Sequence, residues 1–159
     1  MNEISFTIKR FEELNTKELY EFLCARADVF TTEEEIMYPD ADGLDYDAIH
    51  VFTMGEDGRV KAYLRMFPKA DEPGTLQMGR ILTVERGKGL GIRLMEAAMD
   101  YAEGELDVHE FHMNSQEHAA GFYEKLGFQR TSEVFIEAGI PHVEMRKHGH
   151  HSINQGKTK

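Results

Sequence analysis

Apolar and polar side chains alternate over residues 4–8 (Ile4-Ser5-Phe6-Thr7-Ile8), the period of a half-buried strand. The period then changes. Leu19, Phe22, Leu23, Val29 and Phe30 recur at helical spacing, behind an Asn15/Glu18 pair of the kind that caps a helix. Residues 31–47 are acidic and turn-rich, which predicts a loop with one short helical turn. Residues 49–54 and 60–67 read as strands joined by Gly55-Glu56-Asp57-Gly58, a hairpin signal. Pro73 marks a turn over residues 69–74, and residues 75–84 predict a central strand. Residues 89–103 predict a helix with Leu90, Leu94, Ala97, Ala98 and Tyr101 inward. A strand over 108–113 and a helix over 115–126 follow, then a strand pair, 128–136 and 142–146, around Gly139. Residues 148–159 lack periodicity and predict a flexible tail. The order is β-α-β-β-β-α-β-α-β-β, an α/β (α+β) chain with one domain over residues 1–147.

The junction between the central strand and its helix carries chemistry. Arg86-Gly87-Lys88-Gly89-Leu90-Gly91 places three alternating glycines ahead of Ile92 and an amphipathic run. The first N–H groups of a helix lack partners, and the macrodipole adds about half a positive charge there. Glycine lets the backbone approach a ligand and take positive φ. Together these features predict a pyrophosphate cradle. A P-loop needs Ser or Thr after Gly-Lys, whereas Gly89 follows Lys88. A dinucleotide fingerprint needs its third glycine one residue later.

A second block lies downstream: Asn114-Ser115 as a predicted helix cap, then Ala119, Phe122, Tyr123 and Leu126 on one face, Gly127 as a left-handed stop and Phe128 opening a strand. The pattern Arg86-x-x-Gly89-x-Gly91, followed by Asn114…Ala119…Phe122-Tyr123-x-x-x-Gly127-Phe128, resembles the two signatures of the GNAT N-acetyltransferase superfamily. Asp40-Ala41-Asp42-Gly43-Leu44-Asp45, His50 and the run from Gly139 to Lys147 are similar to the ElaA-type subgroup. Departures are visible. Glu34-Glu35-Ile36-Met37-Tyr38-Pro39 stands where that subgroup often carries Gln, then Cys-Pro-Tyr.

The resemblance implies the GNAT acyltransferase fold: a mixed, mostly antiparallel central sheet flanked by helices, with strands splayed at an acyl-CoA site. It implies direct transfer of an acetyl group from acetyl-CoA to a primary amine of a small molecule or protein. No metal is expected on motif grounds: His109-Glu110-Phe111-His112 is one residue short of H-E-x-x-H, and Asp40-x-Asp42-Gly43 fails the EF-hand loop. The backbone of Ile81, Leu82 and Thr83 would hold the pantetheine arm. Arg86, Gly87, Lys88, Gly89, Leu90, Gly91 and Ile92 would hold the pyrophosphate, and Asn114, Phe122 and Tyr123 would complete the contacts. A non-catalytic acyl-CoA sensor keeps the same cradle and stands as the alternative. In this fold the last strands often mediate dimers, so a homodimer is a further option.

Such a reaction needs a neutral amine, a polarised carbonyl and a protonated leaving thiolate. Tyr123 is the expected general acid, because a phenol stays protonated at neutral pH. The base is open. The central strand has no acid between Thr75 and Val84. His50 is a tentative base or substrate contact, with Glu34, Asp40, Asp42 and His112 as further candidates.

The formal net charge is −11, which argues against nucleic acid as a partner. It leaves two readings of the acidity, steering of a cationic acceptor or solubility. No apolar run approaches the roughly 20 residues needed to span a bilayer, so no membrane contact is expected. Met1-Asn2-Glu3 opens no secretion signal. The one cysteine, Cys24, excludes an internal disulfide and reads as a half-buried structural thiol. A cytoplasmic setting is the expectation.

Overall fold

The computed structural model describes residues 4–85 and 87–149. The chain forms two compact units: Met1–Phe67 with Arg80–Ala98, and Pro68–Gly79 with Met99–Lys159. Strand β4 (Thr75–Thr83) and helix α2 (Leu90–Glu105) each contribute residues to both.

In the first unit, β1 (Thr7–Arg10) pairs antiparallel with β2 (Ile49–Met54), which pairs antiparallel with β3 (Val60–Pro68). Strand β1 starts later than its alternation predicts. The β2–β3 turn closes as expected, with Gly58 N–H donating to the Gly55 carbonyl at 3.0 Å and Gly55 N–H to that of Arg59 at 2.9 Å. Helix α1 (Thr16–Arg26) opens on the predicted reciprocal cap: the Asn15 side chain accepts from Glu18 N–H at 2.8 Å, and the Glu18 carboxylate accepts from Asn15 N–H at 3.0 Å. Its apolar stripe packs a core of Phe22, Ala25, Val29, Phe52, Val60, Tyr63 and Leu82.

Beyond α1 the chain winds on as a π-helix, Ala27–Glu33, which carries the predicted helical stripe through Val29 and Phe30 and runs three residues into the loop predicted from Thr31. Glu34 N–H donates to the Val29 carbonyl at 3.0 Å, the wider spacing of that helix. The predicted short turn is the 3₁₀ segment Leu44–Asp47.

In the second unit, β4 pairs parallel with β5 (Glu110–Gln116) over three residues, ending at Gln77 opposite His112. Strand β5 pairs antiparallel with β8 (Ile140–His148), and β8 also carries β6 (Gln129–Arg130) and β7 (Phe135–Glu137). The whole is an eight-stranded, mixed, mostly antiparallel sheet flanked by helices.

Three expectations are corrected here. Strand β5 runs through Asn114 and Ser115, so neither caps a helix; a 3₁₀ turn, Glu117–Ala119, precedes the six-residue α3 (Ala120–Lys125). The strand predicted over 128–136 is broken, because the Ser132 hydroxyl takes the place of a backbone carbonyl and accepts from Glu144 N–H at 2.9 Å. The last strand runs past its predicted end at residue 146: His148 lies in β8, and Gly149 N–H donates to the His109 carbonyl at 2.9 Å. Residues 150–159 lie outside the described residues. Gly127 does stop α3 in the left-handed region at φ 101°, and Ala138 and Gly139, both at positive φ, turn β7 into β8.

Candidate active site

The glycine loop is left-handed at two of its three glycines. Gly87 and Gly89 take φ of 80° and 73°, values that L side chains resist, and α2 begins at Leu90. A Cβ on either glycine would meet open space, so conformation and not crowding selects glycine. Lys88 is exposed and sits 3.5 Å from Glu85; Ile92 is 42 % exposed on the first turn. Arg86, the first letter of the pattern, lies outside the described residues.

Tyr123 sits on the inner face of α3 and is 8 % exposed. Phe122 and Phe128 meet its ring edge-on, at centroid distances of 5.1 and 6.1 Å. Its hydroxyl has no hydrogen-bond partner among the described residues. Burial pushes the phenol up to about 12. The phenol is therefore fully protonated at neutral pH. Asn114, freed from capping, donates to Glu137 Oε1 at 3.3 Å.

His50 fares differently. It is fully buried, stacked on Phe22, and both ring nitrogens are engaged. The Asp45 carbonyl only accepts, so Nε2 carries the proton and donates to it at 3.0 Å. Nδ1 then accepts from the Tyr63 hydroxyl at 2.7 Å. Burial holds the ring below the ordinary histidine range. A base or substrate contact must present a free nitrogen to an incoming amine, and His50 presents none.

The acidic words Asp40, Asp42 and Asp45 are likewise spent. Arg26, with no exposed surface, donates to Asp45 Oδ1 at 2.7 Å and Oδ2 at 3.2 Å, and to Asp40 Oδ2 at 2.8 Å. Arg65 on β3 bridges Asp42 and Asp45 at 2.9 Å each. Arg80 on β4 donates to the Asp40 carbonyl at 2.7 Å and lies 3.4 Å from Asp42. Three arginines thus meet three aspartates, and the loop that reads as an anionic patch is locally neutral.

Hydrogen bonds from Arg65 hold the Asp42 carboxyl well below the usual range. Burial opposes ionisation of Asp45, but hydrogen bonds from Arg26 and Arg65 outweigh it and lower that carboxyl too. Groups depressed on folding give stability that is complete above their unfolded value near 3.9 and is lost as the pH falls below it. The urea midpoint should therefore drop between pH 5 and pH 3. In Asp42→Asn the drop should be shallower; an equal slope in the variant would show that Asp42 contributes nothing.

Glu34 is half-buried just beyond the π-helix. His112, on β5, is 3 % exposed and bonded through Nε2 to Glu144 Oε2 at 3.0 Å. Glu144 also accepts from Thr131 at 2.8 Å and Arg146 at 3.2 Å. The ionised carboxylate fixes the proton on Nε2, and the buried Nδ1 keeps an unpartnered lone pair. Of the candidates for a base, His112 is the one shown with an unspent nitrogen.

Sequence reasoning missed the arginine clasp. One signal was available: Arg26 stands four residues after Phe22, on the inward stripe of α1, where a lone charge demands partners.

This sheet, with its flanking helices, is the GNAT acyltransferase fold. The chain belongs to the GNAT acetyltransferase family, whose domain model matches residues 32–148, and within it to the ElaA-type subgroup. A UPF0039 protein of Schizosaccharomyces pombe is 35 % identical over 149 residues, covering 92 % of this chain and 98 % of the relative. Protein ElaA of Escherichia coli is 32 % identical over 139 residues, covering 85 % and 90 %. Its crystal structure superposes with a TM-score of 0.84 at 28 % identity over 91 % of this chain and 99 % of that one. An acyl-CoA N-acyltransferase from Pseudomonas aeruginosa gives a TM-score of 0.83 at 35 % identity over the same shares. At family level the activity is acyl transfer from an acyl-CoA cosubstrate.

Proposed function

We propose that this chain moves an acetyl group from acetyl-CoA to a primary amine by direct transfer. The observation that carries the reading is Tyr123, a buried phenol with an uncommitted hydroxyl. Its O–H donates a hydrogen bond to the departing thiolate, whose ordinary pKa is about 8.5, and relays to that sulfur the proton which the acylated nitrogen gives up, so the phenol ends as it began. Gly87, Lys88, Gly89, Leu90, Gly91 and Ile92, with Arg86, hold the pyrophosphate through backbone N–H groups and the α2 dipole. The backbone of Ile81, Leu82 and Thr83 takes the pantetheine and polarises the carbonyl, and Asn114 and Phe122 line the arm. The acceptor is a small-molecule or protein amine. Because the clasp neutralises residues 40–45, any preference for a cation comes from the net charge of the chain rather than from that loop. No helix among the described residues is long and apolar enough to cross a membrane; we place the protein in the cytoplasm.

The test is thiol release from acetyl-CoA across a panel of amines. Release that depends on the amine supports the reading; tight CoA binding without release from any amine favours the sensor instead. The pH dependence is specific. The nucleophile is the neutral amine, with a pKa near 10.4 for an alkyl ammonium, so kcat/KM should rise towards that value. The acid form of Tyr123 is the active one and persists up to about 12, so no alkaline fall should appear below pH 10. A fall near pH 9 that vanishes in Tyr123→Phe would contradict the shielded phenol.

A further inference from the structure

Arg80 takes φ 50° inside β4, in the left-handed region that L side chains avoid. The glycine beside it, Gly79, is not left-handed, so the kink falls on the residue less suited to it. A non-glycine residue keeps such a backbone only when its surroundings over-determine it. Here they do. The Arg80 guanidinium donates through Nη2 to the Asp40 carbonyl at 2.7 Å and lies 3.4 Å from Asp42 Oδ2. Its Nε faces Asp40 Oδ1 at 2.9 Å, too bent for a hydrogen bond, as expected of a side chain pulled into place. Asp40 and Asp42 are themselves fixed by Arg26 and Arg65. Two residues on, Leu82 is anchored in the core. With Arg80 and Leu82 both pinned, the direction of the intervening backbone is set.

We propose that Arg80 is a positioning residue: the acidic loop grips its side chain, and that grip holds the β4 kink which presents the Ile81–Thr83 backbone to acyl-CoA. The inference rests on the functional reading above, in which those residues hold the pantetheine arm. It makes the loop over residues 40–45 and the acyl-binding strand one mechanical element. A change in the loop is then felt as a change in acyl-CoA affinity, though no loop carboxylate touches the cosubstrate.

The test compares Arg80→Ala with Arg80→Gly. Both lose every contact to the loop, but glycine takes positive φ without strain. Coenzyme A affinity, measured by calorimetry, should fall about tenfold in Arg80→Ala, the size of a left-handed penalty. In Arg80→Gly it should stay within about threefold of the parent. Amide exchange at Ile81, Leu82 and Thr83 should accelerate in the alanine variant and much less in the glycine variant. Equal weakening in both variants, or parental affinity in Arg80→Ala, overturns the proposal. Should the parent itself not bind coenzyme A, the functional reading fails, and the exchange comparison still judges the kink: equal exchange in the two variants overturns it.

Discussion

Asp45→Ala should destabilise the protein by about 3–5 kcal/mol, the cost of stripping one partner from a buried ion pair. The mechanism is specific. Asp45 takes both forks of Arg26 and one of Arg65, and these two residues are 0 % and 3 % exposed. Without the carboxylate, Arg26 keeps Asp40 and Arg65 keeps Asp42 as the anionic partners of two buried cations. The Asp45 carbonyl also receives the His50 proton, and His50 in turn takes that of Tyr63, so a shift of the loop unsettles the core beside Phe22. The double variant Arg26→Met with Asp45→Leu should cost much less, because the charges that remain still balance: Arg65 keeps Asp42, and Asp40 keeps Arg80. Urea unfolding of the three proteins checks this. A loss under 1 kcal/mol in Asp45→Ala would show that the clasp is a solvated surface network.

The second large effect is on rate. Tyr123→Phe should lower kcat by about 10²–10⁴, the usual contribution of a positioned acid, while coenzyme A affinity stays at the parental value. The phenyl ring keeps the edge contacts with Phe122 and Phe128, and the hydroxyl has no hydrogen-bond partner to lose among the described residues. Folding is thus little disturbed, and a fall in kcat alone isolates the proton. Equal loss in binding and rate would make Tyr123 a packing residue. An unchanged kcat would favour the non-catalytic sensor.

Local signals in the sequence were faithful where the physics is local. The Asn15/Glu18 cap, strand β2, the Gly127 stop and the turn at Gly139 lie where their spacing predicts, because each depends on neighbours within a few residues. Strand β5 runs past its predicted end at residue 113. Asn114-Ser115 has cap chemistry, yet Phe111, Met113 and Ser115 continue a buried face, and the Ser115 hydroxyl is satisfied by donating to the Gln116 carbonyl at 2.8 Å. Three of the base candidates are engaged for a non-local reason. Asp40, Asp42 and His50 carry chemical promise as residue types, but their partners Arg26, Tyr63, Arg65 and Arg80 are brought in from distant segments. The kink at Arg80 has no sequence signal at all, since a glycine stands next to it.

The measurement that bears most directly on the account is titration of coenzyme A into the protein, followed calorimetrically at two temperatures beside ATP. The glycine cradle and the arm contacts together predict saturable binding of one coenzyme A per chain, much tighter than ATP, which shares the pyrophosphate and lacks the arm. No binding at either temperature, or equal binding of the two ligands, would contradict it.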